Sequence, residues 1–399
     1  MSSRIGRWPR LVTALVGGTL LLAACTSTKS EQPAAAPAPP AAPPAASGAA
    51  ASPAAKPSGG PATDWATILA EARREGVVEC ACPPRPDYAR LFKEHFERAY
   101  PDIRLEASPA TLPDIWARVE KEQEAGQYLW DIYMFGPTLE MLALKNKGGF
   151  EPFLDYMVGP DVGPESTWEG GWDRAFLDNE RRYIFSFWLN ITTDITINRD
   201  LLPTARITTF DDLLDPAYRG KIASQDPRVG GVGASFLTGA YYYKGREPIR
   251  QLLIDQQPFL ARGNAEVAEQ LVRGGRAISI AALSQDTLTQ FQQAGVRLNL
   301  EDVVLEDIPS VSNGGQAPAV FKRPPHPNAT KVFVNWVLSQ PTQDLLAHEL
   351  RQNATRKDVP PFDPGDKPKE GVQYYHTQTE QSMSTTAREA TQYARELLP

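Results

Sequence analysis

Short apolar runs alternate with amphipathic segments of helical period from residue 63 onward. The first runs are predicted strands, at 77–82, 103–107 and 130–135. Strands that alternate with helices predict an α/β unit, in which helices cover a parallel sheet. Ligands bind such sheets beyond the carboxyl ends of the strands, so Cys82, Phe135 and Gly136 are predicted to lie at a binding site.

A long extended run in the middle of the chain, residues 183–198, is interrupted at Asn190. Its length predicts a strand that crosses from one lobe to another, with Trp188 and Asn190 at the crossing. The predicted organisation is lobe 1 over 63–188, lobe 2 over 189–318, a return to lobe 1 over 319–350, and a C-terminal tail and helix over 351–399. The sequence does not assign this last segment to either lobe.

The stretch 209–235 combines a short helix, a glycine turn, a buried strand and a glycine-led helix start. The strand runs into Asp226 and Arg228, and Gly231 and Ser235 lie around the start of the next helix. Helix N-termini present free N–H groups and a positive dipole end, which predicts a cradle for a carboxylate, phosphate or phosphonate. Arg228 is either a charge-assisted donor to this anion or a solvated surface arginine, and Asp226 either pairs with it or contacts a ligand amine.

The first 62 residues predict an export signal followed by a tether. Three arginines precede an apolar run at 11–22, which leads into the sequence LAAC at Cys25. LAAC resembles the lipobox of bacterial lipoproteins, in which the cysteine becomes the lipidated first residue. We therefore predict a lipoprotein signal peptide over 1–25 and a Pro/Ala-rich disordered linker over 26–62.

Composition argues against several classes of function. The 399 residues carry a net charge of −7 without a sustained basic run, so nucleic-acid binding is disfavoured. No HExxH, Walker A or GxSxG motif is present, so a binding protein without a cofactor is predicted rather than an enzyme. A cell-envelope hydrolase or a structural lipoprotein is the alternative class. Cys80 and Cys82 share a strand face, where they pack, bind a soft metal or oxidise.

Several phrases, in order, resemble one family across nearly all of residues 65–360. They are EARREGVVE, FERAYPDIRLEA, EKEQEAGQYLWDIYMFG, ITINRDLLP with TFDDLLDPAYRGKIASQDP, and PPHPNATKVFVNWVLSQPTQDLLA. Together they resemble the bacterial extracellular solute-binding proteins of ABC importers, in the branch that includes ferric-iron and thiamine binders. The resemblance implies a two-lobed periplasmic-binding-protein fold of type II, with a cleft and a β hinge between the lobes. It also implies a monomer that delivers one solute to a membrane permease with a cytoplasmic ATPase.

The resemblance also bears on the solute. Iron-binding members use a histidine, a glutamate and adjacent tyrosines at places where this chain has Cys82, Gly136 and the run 281–283. An organic anion is therefore expected, and ferric iron or a metal complex is the alternative. Its organic portion is predicted to contact aromatic and amide side chains. Ser284, after the second-lobe strand, is a further predicted ligand-binding residue. The solute, the type of cell envelope and the permease are not determined by the sequence.

Overall fold

The structure is a computed structural model that describes residues 64–82, 86–107, 112–192, 194–281, 283 and 285–398. The helices are α1 (Trp65–Glu75), α2 (Pro86–Ala99), α3 (Leu112–Glu124), α4 (Leu139–Asn146), α5 (Gly171–Ala175), α6 (Gly231–Lys244), α7 (Arg246–Arg250), α8 (Asn264–Val272), α9 (Gln285–Gln293), α10 (Pro327–Leu338), α11 (Gln340–Leu350), α12 (Glu380–Ser382) and α13 (Arg388–Leu397). The strands are β1 (Val77–Ala81), β2 (Arg104–Ala107), β3 (Ile132–Tyr133), β4 (Asn190–Ile191), β5 (Ile195–Asn198), β6 (Ile222–Gln225), β7 (Phe259–Ala261), β8 (Ile278–Ile280), β9 (Leu300–Val303), β10 (Ser310–Ser312), β11 (Ala319–Val320) and β12 (Tyr375–His376).

Lobe 1 is built on a four-stranded sheet with the order β11-β3-β1-β2. Strand β1 is parallel to β2 and β3, and β11 is antiparallel to β3. The apolar faces of α2 and α10 meet through Phe92, Phe96, Phe333 and Trp336, and the rings of Phe96 and Phe333 pack edge to face at 5.0 Å. Burial of each such ring contributes about 1.5–3 kcal/mol, so this aromatic cluster is a main source of stability in lobe 1.

Lobe 2 is built on a five-stranded sheet with the order β7-β6-β8-β5-β9. Strand β6 is parallel to β7 and β8, whereas β5 is antiparallel to β8 and β9. The short helix predicted in the stretch 209–235 is a 3₁₀ helix at Asp211–Leu214. The Thr209 hydroxyl accepts from the N–H of Asp212 at 3.2 Å and so stabilises its start. Phe210 and Phe236 stack in the core of this lobe at 6.2 Å.

The hinge is a three-stranded sheet with the order β12-β10-β4. The single crossing strand predicted over 183–198 is wrong, because this run forms only isolated bridges at Phe185 and Trp188, then β4 and then β5. Its pairing partner changes along its length: Trp188 bridges Ala354, β4 pairs with β10, and β5 pairs with β8. A strand that changes partners this often cannot continue one ladder.

Residues 375–398, which we call the C-terminal segment, contact both lobes. Strand β12 pairs with β10 in the hinge. Glu380 is buried against Lys145 of lobe 1, with Nζ and Oε2 2.7 Å apart, whereas Tyr393 and Ala394 belong to the core of lobe 2. The C-terminal tail and helix therefore belong to neither lobe alone.

Candidate solute-binding site

The carboxyl ends of the lobe 1 strands lie against the loop 313–316, which follows β10. The N–H of Ala317 donates to the carbonyl oxygen of Phe135 at 2.7 Å, and the Tyr133 hydroxyl donates to the carbonyl oxygen of Gly136 at 2.8 Å. A side chain at Gly136 would bring its Cβ to 3.4 Å from the Cα of Gly315. Phe135 and Gly136 therefore lie where the end of β3 meets the segment that follows β10, and their contact with a solute stays a prediction.

Cys80 and Cys82 form a disulfide at the end of β1. Both residues are almost completely buried, with 0% and 1% of their surface exposed. Of the three fates left open by the sequence, oxidation is the one observed. The disulfide-bonded pair therefore offers no thiolate to a soft metal, and the predicted contact of Cys82 with a solute stays a prediction.

On lobe 2, Asp226 and Arg228 follow β6 and pair with each other. The Nε and Nη2 groups of Arg228 donate to the Asp226 carboxylate at 3.0 and 2.8 Å, and Nη1 donates to the carbonyl oxygen of Leu398 at 3.2 Å. This contact with Arg228 holds the pKa of Asp226 below its usual value. The charge of Arg228 is thus offset within the chain, and the pair fastens the end of the C-terminal segment.

Helix α6 begins at the carboxyl end of β6, and its first turn is made by glycines. Gly231 has a φ of +76°, and the N–H of Val232 donates to Gln225 Oε1 at 3.1 Å. At Gly233 a Cβ would collide with the carbonyl oxygen of Gln225, so only glycine lets the helix approach the strand this closely. Ser235 lies one turn further on, with its hydroxyl 2.9 Å from that of Thr377.

The two predicted hinge residues are placed differently from each other. Trp188 is fully buried, with its ring 5.0 Å from that of Phe187. Asn190 is half-buried, and its amide donates to Gln352 Oε1 at 2.8 Å and accepts from the N–H of Asn353 at 2.9 Å. The predicted residues Ser284 and Cys25 lie outside the described residues.

The sequence did not predict that the C-terminal segment and the loop 313–316 contact the residues around the candidate site. Thr377 contacts Ser235, and Gln378 Oε1 accepts from the N–H of Asn313 at 3.0 Å. Gln316 ends the same loop and is 1% exposed. The two glycines that precede Gln316 are a sequence signal for this loop. No local sequence pattern predicts that residues 377 and 378 contact this region.

A surface depression of about 600 Å³ lies elsewhere on lobe 2. Arg199, Arg206 and Glu301 contribute to its wall. The depression lies beyond the carboxyl end of β5. Because β5 is antiparallel to β8, this is the end of the sheet at which β6 and β8 begin. The carboxyl end of β6 and the start of α6 lie at the other end of the sheet, so the depression is not the interlobe site.

Two α/β lobes, joined by a short β hinge and with their strand ends directed to the same region, define the periplasmic-binding-protein fold. The chain belongs to the bacterial extracellular solute-binding protein family, whose model matches residues 92–361. The proteins of this family are non-enzymatic solute carriers. The C-terminal segment lies beyond the matched residues.

Solved structures share this fold at low sequence identity. Iron-bound HitA from Pseudomonas aeruginosa has a TM-score of 0.63 and 14% identity, over 81% of this chain and 99% of that chain. A substrate-binding protein of an ABC transporter from Agrobacterium tumefaciens has a TM-score of 0.62 and 15% identity, over 81% and 94%. AfuA from Actinobacillus pleuropneumoniae, with exogenous fructose-6-phosphate bound, has a TM-score of 0.57 and 16% identity, over 80% of this chain and 98% of that chain.

A sequence search of curated proteins gave no match. Within the described ranges, no helix has the length and apolarity that a bilayer crossing requires.

Proposed function

We propose that this solute-binding protein captures a small organic anion, such as a carboxylate, phosphate ester or phosphonate, and delivers it to an ABC permease. The observation that carries the proposal is the position of α6. Its glycine-led first turn follows the carboxyl end of β6, the edge at which ligands bind α/β sheets.

The first turn of α6 supplies several donors to one point. In an α-helix the first N–H groups have no intrahelical acceptor, and the helix dipole places partial positive charge at this end. Gly231 and Gly233 let this turn pack closely on Gln225 at the end of β6, and the Ser235 hydroxyl lies on the next turn. We propose that these groups bind the anion, and that Arg228 orients the preceding loop while its charge is shared between Asp226 and the solute.

The organic part of the solute is proposed to contact lobe 1 and the hinge. Phe135 and Gly136 lie at the end of β3, and Trp188 and Asn190 lie on the crossing segment. An aromatic ring and amide groups beside an anion cradle suit a small solute with both apolar and polar surface.

Anchoring is a further part of the proposal. LAAC at Cys25 supports a lipid-anchored monomer on the outer side of a bacterial membrane, and the Pro/Ala-rich linker supports a tethered reach to the permease. Metabolic labelling with a radioactive fatty acid tests the anchor: the wild type is expected to be labelled and Cys25→Ala is not.

The solute is tested by thermal unfolding of the purified mature chain with carboxylates, phosphate esters, phosphonates and a ferric salt. A ligand at a hundredfold excess over its Kd stabilises the folded state by about 2.7 kcal/mol, which is a clear rise in Tm. We expect this rise with an organic anion, and a rise with the ferric salt alone would overturn the proposal.

A matched pair of serine variants tests the cradle. Ser235→Ala is expected to weaken binding of the anion by about 1.5–3 kcal/mol, because a hydrogen bond to a charged group is lost. Ser166→Ala, on an exposed turn of lobe 1, should leave affinity unchanged. Equal affinities in both variants would remove Ser235 from the site.

A further inference from the structure

Residues 377–383, which we call the latch, form a compact loop within the C-terminal segment. The Ser382 hydroxyl lies 2.8 Å from the hydroxyl of Tyr375, which directly precedes this loop on β12. The Thr379 hydroxyl accepts from the N–H of Ser382 at 3.2 Å and caps the turn that carries Glu380. These contacts are internal to the C-terminal segment, so they shape the latch without help from either lobe.

Both ends of the latch are attached to lobe 2. At its start, the Tyr375 ring stacks on the ring of Tyr242 in α6 at 3.9 Å, and the Thr377 hydroxyl lies 2.9 Å from that of Ser235 in the same helix. Beyond its end, α13 packs into the core of lobe 2 through Tyr393. The latch is therefore carried by lobe 2.

The turn of the latch is nevertheless docked on lobe 1. Glu380 is 6% exposed, and its Oε2 lies 2.7 Å from Nζ of Lys145 in α4. The same oxygen accepts from the N–H of Asn179 at 2.9 Å, and the N–H of Glu380 donates to the carbonyl oxygen of Leu177 at 2.8 Å. Met383 packs on the apolar cluster to which Leu177 belongs. A loop with its ends on one lobe and its turn buried on the other ties the two lobes together.

Lys145 has a second carboxylate partner, Glu180, which lies on lobe 1 itself. The Lys145 side chain is 2% exposed, whereas that of Glu180 is 52% exposed. Breaking a buried ion pair is costly when it leaves a buried charge without a counter-charge. Lys145 keeps Glu180 when Glu380 leaves, and a released Glu380 is solvated, so release of the latch strands neither charge. The latch therefore has two states, docked and released, in which the charges are satisfied.

We propose that the latch sets the angle between the lobes: docking of Glu380 on Lys145 holds them in one arrangement, and release lets them rotate about the hinge. The hinge is a narrow connection, since β4 and β10 pair over only two residues each. Rotation about such connections is how two-lobed proteins open and close, and a contact made in one arrangement shifts the balance toward it. The inference goes beyond the proposed function, because it concerns the protein without a solute.

The test measures the distance between the lobes by double electron–electron resonance. Spin labels are attached at Lys121→Cys on α3 and Ala265→Cys on α8, which are exposed positions on lobe 1 and lobe 2, in the purified mature chain with Cys25→Ala. Cys80 and Cys82 are joined in a buried disulfide and take no label.

Glu380→Lys is the variant that releases the latch, because it places a second ammonium group beside Lys145. We expect the interlobe distance to shift by about 2 Å or more, or its distribution to broaden clearly. Glu180→Gln is the matched control: it removes the other carboxylate from Lys145, does not touch a contact between the lobes, and should leave the distance unchanged. Glu380→Ala removes the contact without adding charge and is the second variant where Glu380→Lys does not fold.

The outcomes decide between a latch and a merely structural contact. Unchanged distances in Glu380→Lys and Glu380→Ala, whatever their Tm, would overturn the inference. A shift of equal size in Glu180→Gln would also overturn it, because the effect would then follow the charge around Lys145 and not the docked loop. No solute enters the experiment, so its failure leaves the proposed function standing, and failure of an organic anion to bind leaves the latch standing.

Discussion

Asp194 is a buried carboxyl group at the edge of lobe 2 that faces the hinge, and its environment makes a sharp prediction about pH. It is 2% exposed, its Oδ2 accepts from the N–H of Leu305 at 2.8 Å, and its backbone oxygen accepts from the N–H of Ala281 at 2.6 Å. Burial raises the pKa of Asp194 from 3.8 to about 8, and the nearby Asp307 adds to the increase. The folded protein therefore holds a neutral carboxylic acid here at neutral pH.

The sign of the pH dependence follows from proton binding. Between pH 4 and 8 the folded state keeps the proton on Asp194 and the unfolded state does not, so the free energy of unfolding falls as pH rises. The contribution of this group is fully present below the unfolded pKa and is lost as pH rises through the folded pKa. Each pH unit in this window changes the balance by about 1.4 kcal/mol, which gives up to about 4 kcal/mol between pH 5 and pH 8.

Asp194→Asn isolates this effect, because the asparagine oxygen can still accept from Leu305 and the side chain cannot ionise. Urea denaturation of both proteins at pH 5, 6, 7 and 8 gives the difference in free energy of unfolding, in which the other titrating groups largely cancel. We expect the wild type to lose about 4 kcal/mol relative to Asp194→Asn over this range. A difference that stays constant from pH 5 to pH 8 would refute the reasoning.

Two further predictions concern the C-terminal segment and the start of α6. Lys145→Met should lower the free energy of unfolding by about 3–5 kcal/mol, because Glu380 stays buried without its counter-charge. The double variant with Glu380→Gln should recover most of that loss in the same urea assay, and a single-variant loss below about 1 kcal/mol would contradict a buried ion pair. Gly233→Ala should cost about 1–3 kcal/mol, because its Cβ collides with the carbonyl oxygen of Gln225. Gly263→Ala, where a Cβ meets no atom within 4 Å, should cost less than about 1 kcal/mol by the same measurement.

Local periodicity was enough to find most of the elements that frame the site. The strand predicted at 77–82 is β1, Val77–Ala81, and the strand predicted at 103–107 is β2, Arg104–Ala107. The glycine-led helix predicted within 209–235 is α6, which begins at Gly231. These elements could be predicted because each is specified by residues within one or two turns of itself.

The sequence left the disulfide as one of three alternatives, and it did not predict the contact between Arg228 and the end of the chain. A Cys-x-Cys spacing is compatible with packing, metal binding or oxidation, and the choice depends on how β1 ends inside the lobe. Arg228 and Asp226 are two residues apart, and their pairing was one of the stated alternatives. Arg228 also donates to the carbonyl oxygen of Leu398, which is 170 residues further along the chain. Such a contact leaves no local trace in the sequence.

The sequence by itself determined the family, the two α/β lobes and the glycine-led start of α6, because short-range patterns and motifs encode strands, helices and turns. Only the tertiary structure decided how the hinge is assembled. Strands β4, β10 and β12 pair there although they come from three distant parts of the chain. Their pairing depends on long-range packing, which leaves no local trace in the sequence.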